Sequence, residues 1–126
     1  MGSGFDQKSF ERRQFAAGEY ILQQGEIGHR AYLVEIGTVE ISRGIGERKR
    51  TLGRVGPGGI FGELAPLDGL GRVADAKALT DAICLVIPAD LLRDKVEKCD
   101  PVIRALLRIM ARNLRSLTDA LTEDDY

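Results

Sequence analysis

A mainly β body followed by helices is the fold class this sequence predicts, and three observations predict it. All but Gly2 and Gly4 of the fifteen glycines fall between Gly18 and Gly71. Between those glycines lie short runs, "EYILQQ", "AYLVEI", "TVEIS" and "RTLGRV", that alternate or mix β-branched and apolar residues as short strands do. After Pro88 the pattern changes to three- and four-residue apolar spacing, which is helical. Glycine corners supply positive φ or close backbone approach between strands, so the body reads as a roll, barrel or sandwich rather than βαβ units.

The elements follow in order. "MGSG" reads as a tag remnant or unstructured lead. "FDQKSFERRQF" is expected to form a short N-terminal helix, with 1–14 as lead and helix and 15–90 as the β body. "AKALTDAICLVIP" adds two further strands, ended by Pro88. The remaining residues, 91–126, are expected to be helical. Asp100 is a suitable N-cap and Pro101 stands where a first turn tolerates a missing N–H. Ile103, Leu106, Leu107, Met110, Leu114, Leu117 and Leu121 then share one stripe of a helix over 101–121, with Arg104, Arg108, Arg112 and Arg115 on other faces. That stripe is expected to be a core face or a dimer seam first, and a cap over a ligand second.

Bulk properties exclude several classes of function. A chain of 126 residues fits one domain with a core of its own. Eighteen basic against nineteen acidic residues give a net charge of −1, so no global basic field argues for nucleic acid or an anionic membrane. The apolar runs are too short to span a bilayer. Two cysteines and no apolar N-terminal segment fit a reducing cytoplasm, with Cys84 expected buried and Cys99 at the surface. One histidine, His29, expected exposed, and two distant cysteines make no metal set, and no Ser/His/Asp or Cys/His catalytic set is visible. The chain is therefore not expected to be an enzyme. A cupin-type enzyme on a related β-roll would need several histidines.

The stretch "GGIFGELAPLDGLGRVADAKAL", residues 58–79, carries the chemistry. A glycine followed by Glu-Leu-Ala after a strand can open a short helical segment whose first N–H groups have no partner, a natural seat for an anion. Arg72 lies nine residues past Glu63 and can face that seat, pairing with phosphate through two parallel hydrogen bonds. A carboxylate at Glu63 would repel phosphate, so its partner is a sugar hydroxyl. An anion seat, a cation and a hydroxyl acceptor together describe a nucleotide phosphate with its ribose.

With those residues in view, the chain resembles the cyclic nucleotide-binding domain family, found in catabolite activator proteins, cyclic-AMP-dependent protein kinase regulatory subunits and cyclic-nucleotide-gated channels. Phe15, Gly18, Glu19, Ile21, Gly25, Glu26, Gly28, Tyr32, Val34, Gly37 and Val39 fit the family's N-terminal pattern. Phe61, Gly62, Glu63, Leu64, Ala65, Arg72 and Ala74 fit its phosphate cassette, 58–74 here. The resemblance implies an eight-stranded antiparallel β-roll, jelly-roll-like, whose apolar walls surround the base. It implies that Arg72 pairs with the exocyclic phosphate and Glu63 accepts from the ribose 2′-OH. The N–H groups of Gly62, Leu64, Ala65 and Val73 are the further phosphate donors, and Ala74 closes the cassette. The glycines other than Gly62 are expected to be corners of the roll, away from the ligand.

The chain departs from the family at three places. Val73 stands where many members carry Ser or Thr, a hydroxyl associated with cyclic GMP, which favours cyclic AMP as ligand. Pro66 replaces an apolar residue and removes one N–H. With no Trp, an aromatic base cap is not expected, leaving Ile109, Met110, Leu114 or a stacking arginine. The expected function is a regulatory cyclic-nucleotide sensor whose C-terminal helix moves on binding, acting on an attached effector domain or through a homodimer. The alternative is a degenerate module used for protein contact. A DNA-binding regulator would need a helix-turn-helix after the long helix, and "TEDDY" closes this sequence instead, so a stand-alone sensor or one domain of a larger protein is expected.

Overall fold

Short strands separated by glycine corners pair here both with a neighbour, as Val39–Arg43 does with Arg50–Val55, and with strands distant in sequence, and they build two facing sheets. The computed structural model describes residues 10–62, 71, 72 and 74–123, with the side chains of the last helix described as far as Leu117. The strands are β1 (Arg12–Phe15), β2 (Tyr20–Leu22), β3 (Arg30–Ile36), β4 (Val39–Arg43), β5 (Arg50–Val55), β6 (Ile60–Phe61), β7 (Asp75–Ala78) and β8 (Ala82–Pro88). Two helices, α1 (Ala89–Lys98) and α2 (Pro101–Glu123), follow. One antiparallel sheet has the order β1-β8-β3-β6 and the other β2-β7-β4-β5. This is the eight-stranded β-roll with C-terminal helices.

The inner faces meet in one apolar cluster: Leu22, Tyr32, Val34, Val39, Phe61, Ala76, Cys84 and Val86. Tyr32 stacks on Phe61 with ring centroids 5.4 Å apart, and Phe15 meets the edge of Tyr32 at 6.2 Å. Long β3 and β8 form the spine, with Leu33 opposite Leu85 and Val34 opposite Cys84. The β3–β4 corner requires its glycine. Gly37 has φ +96°, and a Cβ there would lie 2.4 Å from the Asp81 carbonyl oxygen.

The expected N-terminal helix does not extend over Arg12–Phe15. Those residues are extended and pair with β8, Arg12 opposite Leu85 and Phe15 opposite Ala82. Tertiary pairing overrides the local preference of "ERRQF", because the strand turns Phe15 onto the core and completes the edge of β8. Residues 5–9 of that expected helix lie outside the described residues.

The helical end follows the sequence closely. Asp100 caps α2, its Oδ1 accepting from the Val102 N–H at 2.8 Å. The apolar stripe of α2 is exposed in the single chain, with Leu106 at 51%, Met110 at 56% and Leu117 at 64% of full accessibility. It is therefore not a core face of its own roll. Arg104 donates to the Glu97 carbonyl and Arg108 pairs with the Glu97 carboxylate, holding the start of α2 to the end of α1.

Candidate functional site

The site grows from one buried cation. Arg72 is 8% exposed, among the described residues the one charged side chain classed with the core. Its Nη1 donates to the Gly62 carbonyl at 2.7 Å and its Nη2 to the Arg30 carbonyl at 2.8 Å. Those acceptors belong to different elements, one just past β6 and one at the start of β3. A guanidinium is planar, so two carbonyls at its two terminal nitrogens fix both its position and its plane. Lysine could not span them.

The main chain at Arg72 is pinned as well. Its N–H donates to the Glu26 carbonyl at 2.8 Å, and its carbonyl accepts from the Gly25 N–H at 2.9 Å. Ile27 and Gly71 form an antiparallel bridge alongside. The connection between β2 and β3 is thus zipped to the segment that carries the arginine. The Glu26 side chain turns back to accept from the Gln23 N–H at 2.8 Å, which closes this connection on itself.

Gly62 has φ +76°, a conformation glycine adopts without strain. A Cβ there would stand 2.9 Å from Arg72 Nη1 and 2.9 Å from Leu22 Cδ1, so the glycine lets its carbonyl approach the guanidinium closely. Gly28 also lies against the guanidinium: a Cβ there would fall 2.3 Å from Arg72 Cζ and 2.3 Å from Nε. Ala74 is buried two residues beyond the arginine. From outside, Arg115 of α2 donates through Nη2 to the Gly71 carbonyl at 3.1 Å. The last helix therefore touches the chain one residue before the buried cation.

Of the residues expected at the site, Gly62, Arg72 and Ala74 are described, and Gly62 and Arg72 are in contact. Glu63, Leu64, Ala65, Val73 and Pro66 lie outside the described residues. Gly28, the carbonyl of Arg30 and the carbonyls of Glu26 and Gly71 were not expected there. Gly28, expected as a corner of the roll, lies in the β2–β3 connection and also against the Arg72 guanidinium. His29 is exposed as expected, Cys84 is buried and Cys99 is part-buried. Among the described residues no group of His, Cys, Asp and Glu could hold a metal ion, and no helix is long and apolar enough to cross a membrane.

Comparison with known proteins agrees with this geometry. The sequence profile of the cyclic nucleotide-binding domain matches residues 12–99. The chain is similar to the cyclic AMP receptor protein of Thermus thermophilus, 36% identical over 107 residues, covering 84% of this chain and 50% of that protein. It is similar to the CRP-like cAMP-activated global transcriptional regulator of Mycobacterium tuberculosis, 30% identical over 117 residues, covering 92% of this chain and 52% of that protein. Its fold superposes on the cAMP-bound form of the EAL enzyme Bd1971 with a TM-score of 0.82 at 27% identity, covering 90% of this chain and 30% of that one. The chain spans about half the length of the curated relatives it matches. A profile match over most of the chain, on a β-roll that buries an arginine at the cassette position, has one conclusion: the chain belongs to the cyclic nucleotide-binding domain family.

Proposed function

We propose that this chain is a regulatory module that binds a cyclic nucleotide, cyclic AMP in preference to cyclic GMP, and performs no chemistry on it. The observation that carries the reading is the buried guanidinium of Arg72, held in one plane by the carbonyls of Gly62 and Arg30. A cation built so firmly into a roll suits an anion of fixed shape, and a cyclic phosphate is one. In this reading Arg72 pairs with the exocyclic phosphate oxygens. Glu63 accepts from the ribose 2′-OH, and the N–H groups of Gly62, Leu64, Ala65 and Val73 complete the phosphate seat, with Ala74 behind it. The cassette is 58–74, within a roll of 15–90 that the strand at Arg12 extends.

The choice of base rests on Val73, which lacks the hydroxyl a guanine amino group would use. The EAL enzyme Bd1971 has both cAMP-bound and cGMP-bound forms, so the roll by itself does not decide the base. The hydrogen bond from Arg115 to Gly71 supports a role for α2 as the moving part, since it links the helix to the residue beside Arg72. Ligand binding then shifts the position of α2, which acts on an attached domain or on a second copy of the chain through the exposed stripe.

Calorimetric titration with cyclic AMP, cyclic GMP and 5′-AMP tests the binding. Saturable heat for cyclic AMP, weaker for cyclic GMP and far weaker for 5′-AMP, is expected. No heat from any of them with folded, ligand-free protein would instead make the roll a protein-contact module. Amide exchange over 101–117 with and without cyclic AMP tests the helix, and identical exchange in both would remove α2 from the mechanism.

A further inference from the structure

We propose that Gly28 is a positioning residue for the phosphate-binding arginine: its bare Cα is the floor on which the Arg72 guanidinium lies. The inference rests on the reading of Arg72 as phosphate partner. The three heavy atoms nearest a Cβ built at Gly28 are Cζ, Nε and Nη1 of Arg72, at 2.3, 2.3 and 2.8 Å. Carbon atoms in ordinary contact sit about 3.5–4.0 Å apart, so a methyl group there would displace the guanidinium by roughly 1–1.5 Å.

The backbone gives no other reason for glycine at this position. Gly25, Gly37 and Gly44 have φ values of +89°, +96° and +108°, which other residues reach only with strain. Gly28 is outside that region. At Gly37 and Gly44 the nearest atoms to a built Cβ are carbonyl oxygens of the main chain, whereas at Gly28 they are the far end of a side chain that can move. A methyl at Gly28 is therefore a small disturbance to the fold and a large one to the cation.

Neither can the connection carrying Gly28 retreat to make room. Hydrogen bonds from Arg72 N to Glu26 O and from Gly25 N to Arg72 O hold it to the arginine's own main chain. The Ile27–Gly71 bridge lies between them and Gly28. With the two backbones tied, the side chain gives way, and its 2.7 and 2.8 Å bonds to Gly62 and Arg30 are lost or bent. The charge stays in the pocket but leaves the plane a bidentate phosphate contact needs.

The experiment is a cycle of four proteins: parent, Gly28→Ala, Arg72→Ala and the double variant. Each is titrated with cyclic AMP and with its Rp and Sp phosphorothioates, and each is melted. Misplacing a binding group by about 1 Å is expected to weaken cyclic AMP binding on the order of tenfold to a hundredfold. Gly28→Ala should also erase the preference between the two phosphorothioates, because that preference reads where the guanidinium points. In the Arg72→Ala background Gly28→Ala should change affinity less than twofold, and any thermal loss it causes alone should disappear, which keeps the test alive if the single variant folds poorly. Parental affinity and discrimination in Gly28→Ala, while Arg72→Ala binds poorly, would overturn the positioning role and leave the phosphate assignment standing. An equal loss in both backgrounds would make Gly28 a structural residue only. Parental binding by Arg72→Ala would overturn both.

Discussion

Replacing Arg72 by alanine removes a buried cation, two charge-assisted hydrogen bonds and, in the proposed function, the partner of the ligand phosphate. Stability and binding respond differently. A hydrogen bond to a charged group is worth about 1.5–3 kcal/mol, and Arg72 makes one to Gly62 and one to Arg30. Against that stands the desolvation of a guanidinium left 8% exposed, a penalty of several kcal/mol that the variant no longer bears. The space vacated admits water to both carbonyls. The net loss of stability is therefore smaller than the sum of the bonds, about 1–3 kcal/mol. Binding has no such offset, since truncating one partner of a buried charge pair costs about 2–5 kcal/mol. At 1.4 kcal/mol per tenfold, cyclic AMP affinity should fall about 30-fold to 4,000-fold. Calorimetry at 25 °C measures the second quantity and urea unfolding the first. A folded variant whose cyclic AMP affinity lies within threefold of the parent would refute the placement of phosphate at Arg72. Arg72→Lys should fall between the two, since it keeps the charge and loses the fork.

Three further outcomes follow from other parts of the chain. Glu63→Gln should weaken cyclic AMP by about 1.5–3 kcal/mol, one hydrogen bond to a charged group, and leave a 2′-deoxy analogue unaffected; equal losses on both ligands would remove the ribose role. Joint Leu106→Lys and Leu114→Lys substitution should abolish any self-association seen by sedimentation velocity without lowering the melting midpoint of the roll, because both side chains are about half exposed. A dimer that survives it would place the seam elsewhere. Burial, with a smaller contribution from the charge of Glu35, pushes the Cys84 thiol up to about 11 from 9.0. The folded chain thus holds that proton more tightly than the unfolded one, so this group's contribution is fully present below pH 9 and is lost as pH rises toward 11. Cys84→Ala should flatten that part of the stability profile, and iodoacetamide at pH 8 should label Cys99 and spare Cys84 until the protein is unfolded.

What the sequence carried and what it did not divides by the kind of atom involved. The run of short strands was legible because glycine corners and alternating runs are written in side chains, and Arg72 stood out because the proposed phosphate role needs that side-chain type at that spacing. The Arg30 and Glu26 carbonyls were not. A main-chain oxygen is present whatever the residue, so its part in holding a cation leaves no mark in the sequence. Gly28 left a mark whose reason the sequence does not carry: a glycine in a turn reads as a demand of the backbone, and its closeness to the guanidinium, without a positive φ, is visible only in the structure. β1 was misread for a third reason. "ERRQF" has no local commitment to a strand, and its conformation is imposed by β8, about seventy residues away.

The same distinction bears on how binding at Arg72 could reach α2. Among the described residues the arginine is held by Gly62 and Arg30 through its head and by Glu26 and Gly25 through its main chain. The main-chain bonds anchor Arg72 to the β2–β3 connection, so a shift of its head alone need not move the backbone. The Gly71 carbonyl, which accepts from Arg115, is adjacent to that anchor and also to the segment 63–70. In the proposed function, a ligand seated on the cassette would therefore bias α2 through the peptide at Gly71 more directly than through the guanidinium. Coupling between sites is commonly 1–3 kcal/mol, and a single hydrogen bond from a charged donor, about 1.5–3 kcal/mol, is of that size. In the proposed function one bond made in one position of α2 and broken in the other is enough. In that reading the half-exposed apolar stripe at Leu106, Met110 and Leu114 is the surface by which a moved helix would meet its partner.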